Sequence, residues 1–357
     1  MKVAFLLPNY SGHVVGSTSV YYNFARELAA RGHLVDVFHP GSEGAVGSPL
    51  QNLRSRLWAV KKSLLAKPVP WFDFPYGVRP WFRPWLEGLD LGHDFVVAFS
   101  WKAVEALAGI RVRGEAVGYI VEYETWAEAD PARKARMEAA YRNGLPMLCS
   151  SKVVESMLHE VGVSDVRLCV HGVDIELNRV RTPVEQRAPG RIGFPIRMEP
   201  VKSPEVLEAA LRLLRARFGT AVSLWGFGHG SAPAAIVDLL DDYHVHPSDS
   251  SLAALYDGSA IFAVPSRKEG FGMPAAEAMS SGCAVVSTDN GGISTFGVDG
   301  ENCLIVPAGS PDALADTVGE LVTDPARRIG LAHRAPDSVR FLRWTEAGER
   351  LVRRMGV

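Results

Sequence analysis

The chain has 357 residues, 47% apolar and 22% charged, with 38 Lys and Arg against 40 Asp and Glu. That length suits about two domains with substantial cores, and the near-neutral balance argues against general nucleic-acid binding, which needs a basic face. Cys149, Cys169, Cys283 and Cys303 stand far apart with no Cys-x-x-Cys pair, which excludes a zinc knuckle, a thioredoxin-type site and a disulfide scaffold.

Met1–Pro8 carries one Lys and a short apolar run, too short for a signal peptide or a membrane span; the expectation is a cytoplasmic protein, soluble or peripheral at the membrane. Lys2-Val-Ala-Phe-Leu-Leu reads as a strand buried on both faces. A glycine-containing loop, Asn9 to Ser17, precedes a helical stripe of Val20, Phe24 and Leu28 that Gly32 would stop. Leu34–Phe38 then reads as a second strand, so the chain opens with a βαβ unit and a parallel sheet.

The segment Gln51–Arg83 breaks this pattern. It holds seven basic residues (Arg54, Arg56, Lys61, Lys62, Lys67, Arg79, Arg83) and one acid, Asp73. Within Trp71–Trp85, seven aromatic residues crowd together with Pro75, Pro80 and Pro84, a density of proline that forbids a regular helix there. Three readings stay open for 51–85: an irregular excursion packed on its own domain, a cover over an acceptor, or a contact with anionic lipid.

Asp174–Gly190 is polar and aperiodic and carries Pro183, Pro189 and Gly190; it reads as an interdomain linker. Beyond it the α/β alternation sharpens. Strand candidates are Arg191–Ile196, Ala221–Trp225, Ala260–Pro265 and Ala284–Ser287, with helical patterns at Glu205–Arg217, Ala232–Asp242, Ser250–Tyr256 and Pro274–Ser281.

The stretch Pro265-Ser-Arg-Lys-Glu-Gly-Phe-Gly-Met-Pro-Ala-Ala-Glu-Ala-Met279 leads from a strand through a turn into a helix with Pro274 near its first position. Gly270 and Gly272 let the backbone approach a ligand, and amides at a helix start suit an anion. In open α/β sheets ligands bind at the carboxyl ends of strands. Glu269 before the turn and Glu277 in the first helical turn can then face one ligand from two sides. Leu224-Trp-Gly-Phe-Gly-His-Gly230 places Gly226 and Gly228 after a strand but lacks the third glycine of a dinucleotide fingerprint. His244 and His246 share one face of a short strand; core or base-edge packing outweighs a metal pair, because no third ligand is near in sequence. No Asp-x-Asp occurs, nor a Gly-Lys-Ser/Thr phosphate loop.

The run Glu269-Gly-Phe-Gly-Met-Pro-Ala-Ala-Glu277 resembles the Glu-x7-Glu signature of retaining glycosyltransferase family 4. Ile196-Arg197-Met-Glu-Pro-Val-Lys202, Ser251–Tyr256, Asn290-Gly-Gly-Ile293 and Asp299-Gly-Glu-Asn302 fall in that family's order. The resemblance implies an α/β GT-B fold: two Rossmann-like doubly wound domains facing a cleft, residues 1–175 for the acceptor and 190–340 for the nucleotide-sugar donor. The C-terminal helix, 341–357, would return to the first domain. It further implies that Arg197 and Lys202 clamp a diphosphate and Glu269 grips the donor sugar. Glu277 would take the ribose, amides of Gly270, Phe271 and Gly272 the sugar or phosphates, and Gly226, Gly228 and His246 would contribute to the donor site. No metal or other cofactor is expected, since side chains replace the cation. The partners implied are a nucleotide sugar and a sugar, lipid-linked or small-molecule acceptor.

On the acceptor side the family's first-loop double glycine is replaced by Gly12 and Gly16 around His13. Gly118-Tyr-Ile-Val-Glu-Tyr-Glu-Thr-Trp126 resembles the Tyr-x-x-Gln-Asp-Tyr-Glu run of rhamnosyltransferase-like members; Tyr123 and Glu124 would then meet an acceptor hydroxyl or the donor sugar. Ser294 and Thr295 stand where the family has Pro-Glu. Rival readings are a GT-B epimerase or phosphorylase, and a non-catalytic nucleotide-binding partner of another transferase.

Overall fold

The computed structural model describes residues 1–10, 16–41, 49–65 and 69–356. Gly12, His13 and Lys67 lie outside the described residues. The chain divides into two units, Met1–Gly172 with Trp344–Val357, and Val173–Arg343.

In the first unit the chain runs β1 (Lys2–Leu6), α1 (Gly16–Ala30), β2 (Leu34–Pro40), α2 (Pro49–Ser63), β3 (Val78–Arg83), β4 (Asp90–Leu91), β5 (Phe95–Phe99), α3 (Ser100–Ala106), β6 (Arg111–Val112), β7 (Glu115–Ile120), α4 (Pro131–Tyr141), β8 (Met147–Cys149), α5 (Lys152–Glu160) and β9 (Val166–Leu168). Seven parallel strands form a sheet ordered β3-β2-β1-β5-β7-β8-β9, with β4 and β6 paired apart from it. The central strands are apolar throughout because helices cover both faces: Val3 to Leu6 and Val96 to Phe99 are wholly buried.

The segment 51–85 is more regular than its prolines suggest. Its first half is α2 and its second half supplies β3. Pro80 is tolerated because β3 is an edge strand, where a missing amide hydrogen breaks no ladder. Four of the aromatics pack on their own unit: Trp71, Phe72 and Phe74 surround Tyr22 at ring distances of 5.1, 4.8 and 5.3 Å, and Phe82 stacks on buried His39 at 4.8 Å, while Tyr76 stays exposed.

The second unit runs β10 (Arg191–Ile196), α6 (Pro204–Phe218), β11 (Ser223–Gly228), α7 (Ala234–Val237), β12 (Asp242–Val245), α8 (Asp249–Asp257), β13 (Ile261–Val264), α9 (Met273–Ser280), β14 (Ala284–Thr288), β15 (Leu304–Val306), α10 (Pro311–Thr323) and α11 (Pro325–Ser338). Its parallel sheet is ordered β12-β11-β10-β13-β14-β15. The helical pattern read over Ala232–Asp242 shrinks to the single turn α7, because Asp242 already belongs to strand β12.

Asp174–Gly190 is no free linker. It is built into the second unit through Arg187, whose fully buried guanidinium donates to the carbonyls of Thr182, Ser259 and Ser281 and pairs with Asp257 at 3.3 Å. A buried cation survives only when so satisfied.

The final helix, α12 (Trp344–Arg354), belongs to the first unit. Trp344 meets Phe24 of α1 edge-on at 5.6 Å, and Arg31 donates to the Thr345 carbonyl at 2.6 Å. Among the described residues no helix is long and apolar enough to cross a membrane.

Candidate functional site

In the second unit the chemistry-bearing residues gather at the carboxyl ends of β10 and β13. Arg197 directly follows β10; its Nη1 donates to the carbonyls of Ile196 and Phe227 at 3.0 and 3.3 Å, and the guanidinium lies 5.2 Å from the centre of the Phe227 ring. Burial lowers its pKa, and Tyr256, Glu199 and Glu269 oppose that shift. Five residues on, Lys202 ends a 3-10 turn. It donates to Glu269 Oε2 at 3.0 Å, with both side chains mostly buried. Ser266 donates to the other carboxylate oxygen at 2.7 Å, so Glu269 is held at both ends.

The turn between Glu269 and α9 is fixed by close packing. Gly272 takes φ 92°, a left-handed conformation suited to glycine. Gly292 lies so near that a Cβ there would come 2.7 Å from the Phe271 backbone and 2.9 Å from the Glu269 Cβ. The Glu269 amide donates to the Asn290 carbonyl at 3.0 Å. Asn290 Oδ1 also accepts from the Ile293 amide at 3.2 Å, at the start of the short turn Gly292–Thr295. Phe271 is buried against Phe296 at 5.2 Å, so its ring supports the loop from behind. Gly270 is buried in the same loop.

Glu277 sits one turn inside α9, not in its first turn. It accepts from Tyr256 of α8 at 3.1 Å. Burial pushes its carboxyl up to about 7; Tyr256 and Arg197 pull it down, while Asp249 and Asp174 raise it further. Arg197 is thus within electrostatic reach of both Glu269 and Glu277.

Gly226 and Gly228 lie inside β11 rather than after it. Their smallness is explained by packing, because a Cβ on Gly226 would come 2.5 Å from Ile196 Cδ1 and one on Gly228 would collide with the Tyr243 hydroxyl. His246 is just beyond β12 with φ 47°, its ring 5.4 Å from that of His229, while His244 approaches Trp225 at 6.3 Å. Among the described residues no group of three potential ligands could hold a metal ion. Tyr256 orients Glu277 from 21 residues away, a pairing with no local signal in sequence, whereas Ser266 orients Glu269 from three residues before it.

In the first unit Gly16 opens α1, and Tyr21 on the same helix is within electrostatic reach of Glu124. Burial pushes the Glu124 carboxyl up to about 7 against the opposing pull of Lys102, Trp101 and Arg133. Ser100, at the end of β5, holds φ 71° while buried, a strained conformation of the kind that collects near sites. The Tyr123 ring is buried, stacked on Tyr141 at 5.5 Å. It lines an open cavity of about 410 Å3 with Trp126, Lys134 and Glu138.

Comparison with solved structures defines the fold class. Sucrose-phosphate synthase from Thermosynechococcus elongatus superposes with a TM-score of 0.73 at 17% identity, covering 99% of this chain and 98% of that one. Anabaena HepE in complex with UDP and glucose gives 0.73 at 17%, covering 100% and 99%. The fold is GT-B, two Rossmann-like parallel-sheet domains.

Sequence comparison adds the family resemblance. Residues 189–324 match the family described as "Glycosyl transferases group 1". The chain is 30% identical over 175 residues to D-inositol 3-phosphate glycosyltransferase of Corynebacterium urealyticum, covering 45% of this chain and 41% of that protein. It is 34% identical over 183 residues to that of Nocardia farcinica, covering 46% and 40%. The chain spans about two fifths to a half of the length of the relatives it matches. Motifs, family match and fold together support the resemblance to GT-B transferases of the family-4 type.

Proposed function

We propose that the chain is a retaining, metal-independent glycosyltransferase that moves a sugar from a nucleoside-diphosphate sugar to an acceptor hydroxyl. The observation that carries this reading is the convergence of Arg197, Lys202, Glu269 and Glu277 at the strand ends of the second unit. Breaking a sugar–phosphate bond leaves negative charge on a diphosphate, and preorganised cations stabilise it. Arg197 and Lys202 take that role; Arg binds two oxygens at once and Lys acts as a point charge. Lys202 moves from Glu269 to the phosphate when donor binds, and this releases Glu269 to accept from sugar hydroxyls. Glu277, already oriented by Tyr256, accepts from the ribose.

In the transfer the bond from the anomeric carbon to phosphate breaks and the bond to the acceptor oxygen forms on the same face. The leaving phosphate oxygen takes the acceptor proton. Glu124 is the group of the first unit that meets an acceptor hydroxyl, beside Lys102 and Arg133. The names of the relatives, and the UDP and glucose held by HepE, make a UDP-hexose the first donor to test and an inositol phosphate a first acceptor.

The test is a thermal-shift screen with UDP, GDP, dTDP and ADP, followed by transfer assays with the matching sugars in the presence of EDTA. One nucleotide should raise the melting temperature, since a ligand bound only to the native state stabilises it. No shift with any nucleotide would overturn the reading. Binding without transfer would favour the non-catalytic partner, and activity lost to EDTA and restored by Mg2+ would reject metal independence.

A further inference from the structure

Helix α2 turns its apolar stripe outward. Leu50, Leu53, Leu57, Val60 and Leu64 recur at alternating spacings of three and four, one face of a helix, and each is more than half exposed, Leu64 reaching 81%. The opposite face anchors the helix: Ser55 and Ala59 are buried, and Trp58 meets Tyr10 at 5.5 Å and Phe82 at 5.8 Å. A contiguous exposed patch of this kind marks an interaction surface.

Charge identifies the occupant. Residues 49–65 hold no acid. On a helical wheel Arg54 and Lys61 flank the stripe on one side and Arg56 on the other, all three exposed. Lys62, the remaining cation, faces inward and donates to the Tyr10 hydroxyl at 2.6 Å. Leucines bordered by cations on both sides are the arrangement of a helix lying in a membrane interface, apolar face among the acyl chains and basic groups at the phosphates. A second copy of the chain fits poorly, because a two-fold contact along the stripe would bring the same cations together.

We propose that α2 docks the protein on an anionic lipid surface, lying flat along its length. This stands apart from the transferase reading, since it uses none of the donor-site residues.

The test is co-sedimentation of the full chain with vesicles rich in phosphatidylglycerol, against vesicles of phosphatidylcholine alone. The unaltered chain should pellet with the anionic vesicles and less so as salt rises. A triple variant Arg54→Gln, Arg56→Gln, Lys61→Gln should lose on the order of a hundred-fold in partitioning, about five-fold for each cation near an anionic surface. The variant Leu53→Ser, Leu57→Ser, Leu64→Ser should lose at least roughly ten-fold. Both alter exposed side chains, and unchanged circular dichroism and melting temperature verify that they fold. The proposal falls if the unaltered chain stays in the supernatant, if it binds neutral vesicles equally well, or if the leucine variant binds undiminished. It falls also if light scattering shows a dimer that the leucine variant dissolves. Vesicle binding by a chain that takes up no nucleotide would sustain this inference and reject the donor site.

Discussion

Two carboxyl groups, one in each unit, are pushed up to about 7 by burial, and their surroundings differ. Glu277 has a phenol donating to it and two further acids, Asp249 and Asp174, at hand. Glu124 lies among Lys102, Arg133 and the Trp101 indole, with Glu122 as the opposing acid. The contrast teaches that an equal shift can serve unequal tasks. An acid among acids needs donors from a ligand before it ionises comfortably; an acid among cations has part of its burial penalty offset already. The proposed division, ribose at Glu277 and acceptor hydroxyl at Glu124, follows from that difference.

The largest effects are expected on removing Glu269, the donor-side carboxylate held by Lys202, and Glu124, its acceptor-side counterpart. Glu269→Gln should cut transfer roughly a hundred-fold or more, since it removes charge beside the developing cation, while Glu124→Gln should raise the acceptor KM and leave nucleotide affinity unchanged. Steady-state kinetics in both substrates reads the two apart; equal loss of nucleotide binding in both variants would dissolve the distinction.

Another carboxyl of the first unit, Asp36, gives the opposite sign. Burial alone would raise Asp36, but hydrogen bonds from His93, Trp81 and Arg79 outweigh it and hold the group down at about 2. A depressed carboxyl contributes stability at pH values above its unfolded pKa, and that contribution is lost as pH falls from about 4 toward 2. Asp36→Asn should cost roughly 2 kcal/mol at neutral pH, the worth of charged hydrogen bonds, and flatten the acid limb of a urea-denaturation series.

Glu277 carries the smaller effect. Its native pKa is raised, so the folded chain binds more protons than the unfolded one between about 4.5 and 7, and stability declines as pH rises through that window. A ribose that donates to the carboxylate reverses the penalty. Nucleoside-diphosphate affinity should therefore climb as pH rises through 7, by up to about ten-fold per pH unit below it. Calorimetry across this range should show the slope vanish in Glu277→Gln and persist in Glu124→Gln.

Much of the second unit was legible because its signals are local. Arg191–Ile196 is apolar enough to be a doubly buried strand, and Pro274 and Gly272 mark the start of α9 in the sequence itself. The first unit was harder. Prolines at 75, 80 and 84 suggest irregularity unless β3 is known to be an edge, and edges are set by the order of strands rather than by any one of them. Arg187 lies in a polar, aperiodic stretch with no local signal of burial, and only the fold places Asp257 and three carbonyls around it.

The amino-acid order by itself determined the periodicities that make these strands and helices, and the turn that brings Glu269 and Glu277 to one strand end, because both depend on neighbours a few positions away. Tertiary structure alone decided that Lys202 pairs with Glu269 across 67 residues, that Tyr256 orients Glu277, and that the leucines of α2 point outward. A stripe of alternating three and four names a face, but which face meets the core depends on the volume left over by distant segments: Trp58, locked between Tyr10 and Phe82, took the inside.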